Sequence, residues 1–297
     1  MGAPRRITKY VPPALLLAVL LGLCRMAAPQ LACPIEEPEA PPPAPDNDPT
    51  ALIAGGTPAV PCRYSYMASL AIEMFGLNHI CGGTLVHESW ILTAASCVDP
   101  QFTARDVSNP MALLNGLEWS KPETFRENIA TVAEELQVHP SYKGDPDSGY
   151  NVALLKLEVP SNQTPVALIA PGEDLQADEL VAMAGWGRSA GTGAFSATLL
   201  EATDIQLVDP DACTGFGVED NTKVFCTGFG DKSSCKGDEG GPVLRRGENA
   251  SEDVQVGVVT TQLINGVASC GLFGRPAKFT GLSHLIEWIG ETVNGTT

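Results

Sequence analysis

The sequence is short of positive charge, of histidine and of long apolar runs. Lys and Arg number 18 against 35 Asp and Glu, a formal net charge of -17 over 297 residues. That balance argues against nucleic acid or an anionic membrane surface as partner, since both select cationic proteins. Partners with basic patches are compatible with it. Only four histidines occur, His79, His87, His139 and His284. They form no short-spaced metal pattern with each other or with cysteine, so no metal or cofactor is expected. Apart from one amino-terminal run, no stretch approaches the length of a bilayer span. What is present is enough apolar material for a core: 44% hydrophobic residues and a mean hydropathy of +0.04 exclude a largely disordered chain.

The amino terminus carries Arg5, Arg6 and Lys9 ahead of an apolar run over 14–24, followed by small residues. This is the pattern of an export signal over residues 1–32, and it implies a secreted, extracellular protein. Cleavage falls between Ala28 and Ala32; a rival reading takes Leu31-Ala32-Cys33 as a lipoprotein site with Cys33 lipidated. Residues 33–52 include EEPEAPPPAPDNDPT, an acidic, proline-rich tether with nothing to bury. From Ile53 onward short Val, Leu, Ile and Thr runs alternate with glycine-rich turns, as in HICGGTLV, WILTAA and VQVGVVTT. These predict many short strands rather than βαβ units. LSHLIEWIGETV has helical spacing, with Leu282, Leu285, Ile286 and Ile289 on one side.

Without Cys24, which belongs to the signal, eight cysteines remain: Cys33, Cys62, Cys81, Cys97, Cys213, Cys226, Cys235 and Cys270. An even set in an exported chain favours disulfides. Sequons stand at Asn162, Asn249 and Asn294, and are used only where the host glycosylates its secretory route.

Six landmarks in order resemble the trypsin/chymotrypsin-like serine protease family: IAGG at 53–56, CGGTLVHESWILTAASC at 81–97, NVALLKL at 151–157, AGWG at 184–187, CKGDEGGP at 235–242 and EWI at 287–289. The resemblance covers residues 53–293. It implies an all-β fold for 53–297, two packed six-stranded antiparallel β-barrels with a C-terminal helix. It also implies the disulfides Cys81–Cys97, Cys213–Cys226 and Cys235–Cys270. Cys33 and Cys62 remain, and would join the tether to the first barrel; the family offers no firm equivalent for that pair.

The same resemblance places the catalytic base at Ser96, where TAAHC reads TAASC. The orienting carboxylate falls at Asn151 and the nucleophile at Glu239, where GDSGG reads GDEGG. A hydroxyl cannot take a proton near neutral pH as imidazole does, and an amide carries no charge to favour an imidazolium. An acyl product on Glu239 is a reactive anhydride. No catalytic residues are therefore expected, and the chain is expected not to be an enzyme. No histidine maps to the base position, and only His79 falls near the cleft. The binding positions are altered too: Ser233 replaces the charged floor of the trypsin pocket, and Gln262 and Ala277 replace wall glycines. Gly237 and the backbone around Asp238 keep an oxyanion-like nest. Ala51 and Leu52 precede Ile53, and no Arg or Lys lies between Cys33 and Leu52, so tryptic activation is not expected. Asp238 then binds the Ile53 amine only after an unusual cut, or else takes another partner.

What the resemblance leaves is a secreted non-catalytic homologue that binds or inhibits an extracellular protein, a hydrolase or protease-cascade component among the options. Inactive members of the family include arthropod cascade regulators, haptoglobin-type binders and oomycete inhibitors of endoglucanases. The alternatives are a structural or adhesive extracellular protein, and residual or novel hydrolysis. The acidic loop at 142–150 is a candidate contact for a basic surface.

Overall fold

The computed structural model describes residues 55–73, 76–101, 107, 109–188, 194–228, 232–260, 263–264, 267–268 and 276–295. The signal, the tether and Ile53 lie outside them.

Strand β1 (Thr57–Pro58) is followed by a first sheet built from β2 (Met67–Glu73), β3 (Leu77–His87), β4 (Trp90–Thr93), β5 (Met111–Leu114), β6 (Glu127–Ala130), β7 (Gln137–Val138) and β8 (Ala153–Lys156). A second sheet takes β9 (Ala167–Leu168), β10 (Leu180–Gly185), β11 (Leu200–Gln206), β12 (Val224–Cys226), β13 (Pro242–Arg245) and β14 (Val254–Val259). Strands β15 (Leu263–Ile264) and β16 (Val267–Ala268) pair only with each other, and β17 (Lys278–Gly281) rejoins the second sheet. Helix α1 (Pro210–Thr214) precedes β12, and α2 (Ile286–Val293) follows β17. In β4 and β8 essentially every side chain is covered, because both faces of these central strands are packed. Their sequences are accordingly continuous apolar runs rather than alternating ones.

The expected pair of closed six-stranded barrels is not what the chain forms. There are two largely antiparallel sheets, of eight and seven strands, each an open ladder. One runs β6-β5-β2-β3-β4-β8-β7, the other β1-β11-β10-β13-β14-β17-β12, with β9 added in parallel to β14. Among the described residues a single isolated bridge forms across each seam, Thr131 to Leu157 and Leu207 to Thr227. The ladders stop because the chain turns away at those points. After β6 it enters a 3-10 turn at Ala133–Glu135, and after β11 it starts α1 with Pro210, which has no N–H to offer. Two-residue edge strands β1, β7 and β9 raise the strand count above six. Helix α2 exists, but starts at Ile286. Leu282 and Leu285 are buried ahead of it, and Ile289 is buried within it.

A buried polar cluster ties the segment before β2 to the second sheet. The Arg63 guanidinium grips Asp253 with two hydrogen bonds (2.5 and 2.8 Å). Asp253 also receives the Tyr66 hydroxyl (2.5 Å) and the Gly247 N–H (2.8 Å). Burial works against the Arg63 charge, but the bond to Asp253 and the fields of Tyr64, Asp253 and Tyr66 together outweigh it and hold the guanidinium above its ordinary pKa. Beside it the Tyr64 hydroxyl donates to Glu201, which also faces Arg246. Of the expected disulfides, Cys81–Cys97 and Cys213–Cys226 are formed. Cys62 and Cys235 are disulfide-bonded as well; the partners expected for them, Cys33 and Cys270, lie outside the described residues.

Candidate functional site

Three segments converge between the sheets. A 3-10 turn, Ala95–Cys97, continues from β4 and is pinned to β3 by the Cys81–Cys97 disulfide. The residues before β8 lie alongside, because β4 pairs with β8 through Thr93 and Ala153. From the second sheet comes the 235–241 turn leading into β13. It docks on the first sheet through the Gly82 N–H, which donates to the Glu239 carbonyl (2.8 Å). Gly240 has φ +82°, and a β-carbon there would enter Thr93 and the Gly82 carbonyl, so only glycine fits.

Ser96 and Asn151 are both buried and bond to each other. The Ser96 N–H donates to Asn151 Oδ1 (2.8 Å), and Asn151 Nδ2 donates to Ser96 Oγ (3.2 Å). The amide thus supplies an acceptor for one donor and a donor for one acceptor. The pair is closed and neutral, and it contains no group that titrates near neutral pH.

Glu239, half-buried, folds its carboxylate back onto its own turn. Oε2 accepts the Gly237 N–H at 2.5 Å. Burial pushes this carboxyl above its ordinary pKa, while the Gly237 and Glu239 N–H groups and the charges of Lys236 and Arg188 pull the other way. Backbone donors of this turn are therefore used by the Glu239 side chain itself.

Asp238 points inward, 2% exposed, and accepts the N–H of Gly187 (2.7 Å) and of Cys235 (2.8 Å). Burial pushes it up to about 7, the Glu239 charge adds to that, and the two N–H donors oppose it. A β-carbon on Gly185 or Gly187 would overlap the Asp238 carboxyl group, which accounts for both glycines of AGWG. The other expected partner of Asp238, Ile53, lies outside the described residues.

His79, 3% exposed, is the residue whose role the sequence left open. Its Nε2–H donates to the Gly237 carbonyl (2.8 Å), since a carbonyl only accepts. Nδ1 then accepts the Ser69 hydroxyl (2.8 Å). The ring sits among Trp119, Trp186 and Phe195, and burial pushes its pKa down to about 4. His79 is thus a neutral strut that braces Gly237, the residue whose N–H holds Glu239. The available signal was its place in β3, two residues before buried Cys81 and so on the same inward face.

Ser233 is buried, and its hydroxyl donates to the Ser234 carbonyl (3.0 Å). Ala277 is buried and exchanges hydrogen bonds with Thr227. Gln262 lies outside the described residues. The 142–150 loop is not a free acidic arm: Asp147 pairs with Lys278 of β17, and Asp145 caps the Asp147 N–H (3.0 Å). Asn162, Asn249 and Asn294 are all exposed. Among the described residues no group of His, Cys, Asp or Glu could hold a metal ion, and no helix is long and apolar enough to cross a membrane.

Two sheets meeting at a Gly-Asp-Xaa-Gly-Gly turn, with a disulfide-pinned turn opposite, define a serine-protease scaffold. The chain belongs to the trypsin family, whose sequence profile, described as Trypsin, matches residues 53–289. Among curated proteins it is 29% identical to Proproteinase E of Bos taurus over 84% of this chain and 98% of that protein. It is 30% identical to Chymotrypsin-like elastase family member 1 of Homo sapiens, over 82% and 93% respectively. It is 29% identical to Glucanase inhibitor protein 3 of Phytophthora infestans, over 82% and 89%.

Proposed function

We propose that this protein is a secreted, non-catalytic member of the trypsin family that binds a protein partner through the face around Glu239 and inhibits it. The observation that carries this reading is the seat of the Glu239 carboxylate on the Gly237 N–H. A side chain bound there takes the donor that an acyl-transferring member of the family needs for the developing oxyanion. The closed Ser96–Asn151 pair supports it, because nothing at the base position accepts a proton. For the partner, a glycoside hydrolase of the glucanase type is favoured: one relative of comparable similarity is named for inhibiting a glucanase rather than for cleaving protein. The exposed sequons suit a secreted glycoprotein.

The reading is tested by titrating the purified mature protein into endo-β-glucanase assays, alongside a broad peptide-cleavage screen. Stoichiometric inhibition of a glucanase, weakened at least about 30-fold by Glu239→Arg at the centre of the face, is the expected result. Peptide cleavage by the wild type sinks the non-catalytic reading. Inhibition untouched by Glu239→Arg moves the binding face elsewhere.

A further inference from the structure

Residues 139–150 lead directly into Asn151 and are fastened to the carboxy-terminal part of the chain by two histidines. His139 stacks on Tyr150 (ring centroids 4.9 Å apart, planes at 20°) and meets Trp288 of α2 edge-on (4.8 Å, 65°). His284 stands edge-on to the same Tyr150 (5.6 Å, 77°), and its Nε2–H donates to the Gly149 carbonyl (2.8 Å). Both rings are wired as neutral groups. Nδ1 of His139 accepts the Ser141 N–H (3.1 Å), so a proton there would face another donor. Nδ1 of His284 is buried with no hydrogen-bond partner among the described residues, so a proton there would have no acceptor.

The charges around the cluster relieve this only in part. Asp147 of the loop is paired with Lys278 of β17. Asp220, whose charge reaches His284, is paired with Lys223, whose ammonium lies 5.4 Å from the Tyr150 ring centre. The two imidazoles also face each other.

We propose that His139, Tyr150 and His284 form a pH-operated latch: neutral imidazoles hold residues 139–150 against α2 and β17, and acidification releases the segment and loosens the adjoining Asn151–Ser96 pair. Burial holds both histidines below their ordinary 6.5; His284 adds to this at His139, and at His284 Lys223 adds to it while the Gly149 carbonyl and Asp220 oppose it without overcoming it. The open segment therefore binds more protons than the closed one in mildly acid solution. Closure is fully favoured above pH 6.5 and is lost as the pH falls below it. With two protons taken up, the opening equilibrium rises by up to about 100-fold per pH unit in that window. Release reaches the site because the Val152 N–H donates to the Tyr150 carbonyl (2.8 Å) and the His139 N–H to the Val152 carbonyl (3.1 Å). The latch is independent of the partner proposed above.

Hydrogen exchange read by mass spectrometry on the intact protein, normalised for intrinsic rates, tests it without any ligand. Between about pH 7.5 and about pH 5.5, protection of residues 140–150 falls at least tenfold while β2, β3 and β4 keep theirs. In a His139→Asn, His284→Gln double variant, Asn can still accept the Ser141 N–H and Gln can still donate to Gly149, but neither titrates. Its exchange should not change with pH in this segment. Unchanged protection in the wild type, or the same loss in the double variant, overturns the proposal. A wild-type NMR titration decides the matter if the variant does not fold, because either histidine titrating at or above about 6.5 also overturns it.

Discussion

Glu239 Oε2 lies 2.5 Å from the Gly237 nitrogen, and on the other side of the same residue's α-carbon the Gly237 carbonyl accepts the proton of His79 Nε2 at 2.8 Å. One glycine thus links an acid at the cleft to a buried imidazole behind it. The first of these contacts concerns chemistry, the second concerns stability, and they can be probed separately.

Restoring a serine at position 239 alone should not create a reactive nucleophile, because the Ser96–Asn151 pair offers it no base. Glu239→Ser is expected to resist stoichiometric labelling by a fluorophosphonate. Adding Ser96→His and Asn151→Asp should raise the labelling rate by at least about 100-fold. A single variant that labels as fast as the triple one would contradict the assignment.

His79→Ala removes two buried hydrogen bonds and leaves a gap among Trp119, Trp186 and Phe195. The expected cost at neutral pH is about 3 kcal/mol. With a folded pKa near 4 against 6.5 unfolded, the imidazole contributes stability that is present above 6.5 and lost as the pH falls toward 4. Urea unfolding across that window should show the gap between wild type and variant closing with acid. A gap independent of pH would mean that His79 is not held neutral.

Asp238 has the opposite sign. Its folded carboxyl is raised to about 7, so its contribution is fully present below 3.8 and lost as the pH rises through 7. Asp238→Asn loses an acceptor for Gly187 or Cys235 at every pH. Relative to wild type the variant should nonetheless gain ground steadily from acid to neutral pH. Parallel pH profiles for the two proteins would count against a proton retained on Asp238.

Asp253→Ala leaves the Arg63 guanidinium buried without its carboxylate and strands the Tyr66 hydroxyl. A loss of about 3–5 kcal/mol is expected by chemical denaturation. The paired replacement Arg63→Met, Asp253→Leu should recover most of it, since it removes both charges together. Recovery of nothing would place the energy in the hydrogen bonds of Tyr66 and Gly247 instead.

How much of this was legible depends on whether a residue acts through its neighbours in sequence. The strand-rich class and the residue types at 96, 151 and 239 stand in contiguous motifs and could be read directly, whereas the two complete disulfides were implied only by the family resemblance. Closure of the sheets could not, because it turns on whether edge residues near Thr131 and Leu207 extend a ladder or leave it. The Glu239 seat was hidden for a similar reason: the residue type is visible, but the direction of its side chain is set by Gly237, two residues away through a turn. His79 and the 139–150 loop escaped because their partners, Gly237 and Ser69 for one, Lys278 and His284 for the other, come from other strands and loops.

The inward seat of Asp238 also bears on how such a chain can change over generations. Its two backbone donors and the bare glycines around it fix the shape of the turn. Ser96, Asn151 and Glu239, by contrast, find partners within the cleft itself. Mutational drift is therefore expected to be steered: exchanges at 96, 151 and 239 should cost the fold less than exchanges at the glycines packed against Asp238. On such a turn the chemistry a cleft presents and the shape of the fold beneath it can vary separately.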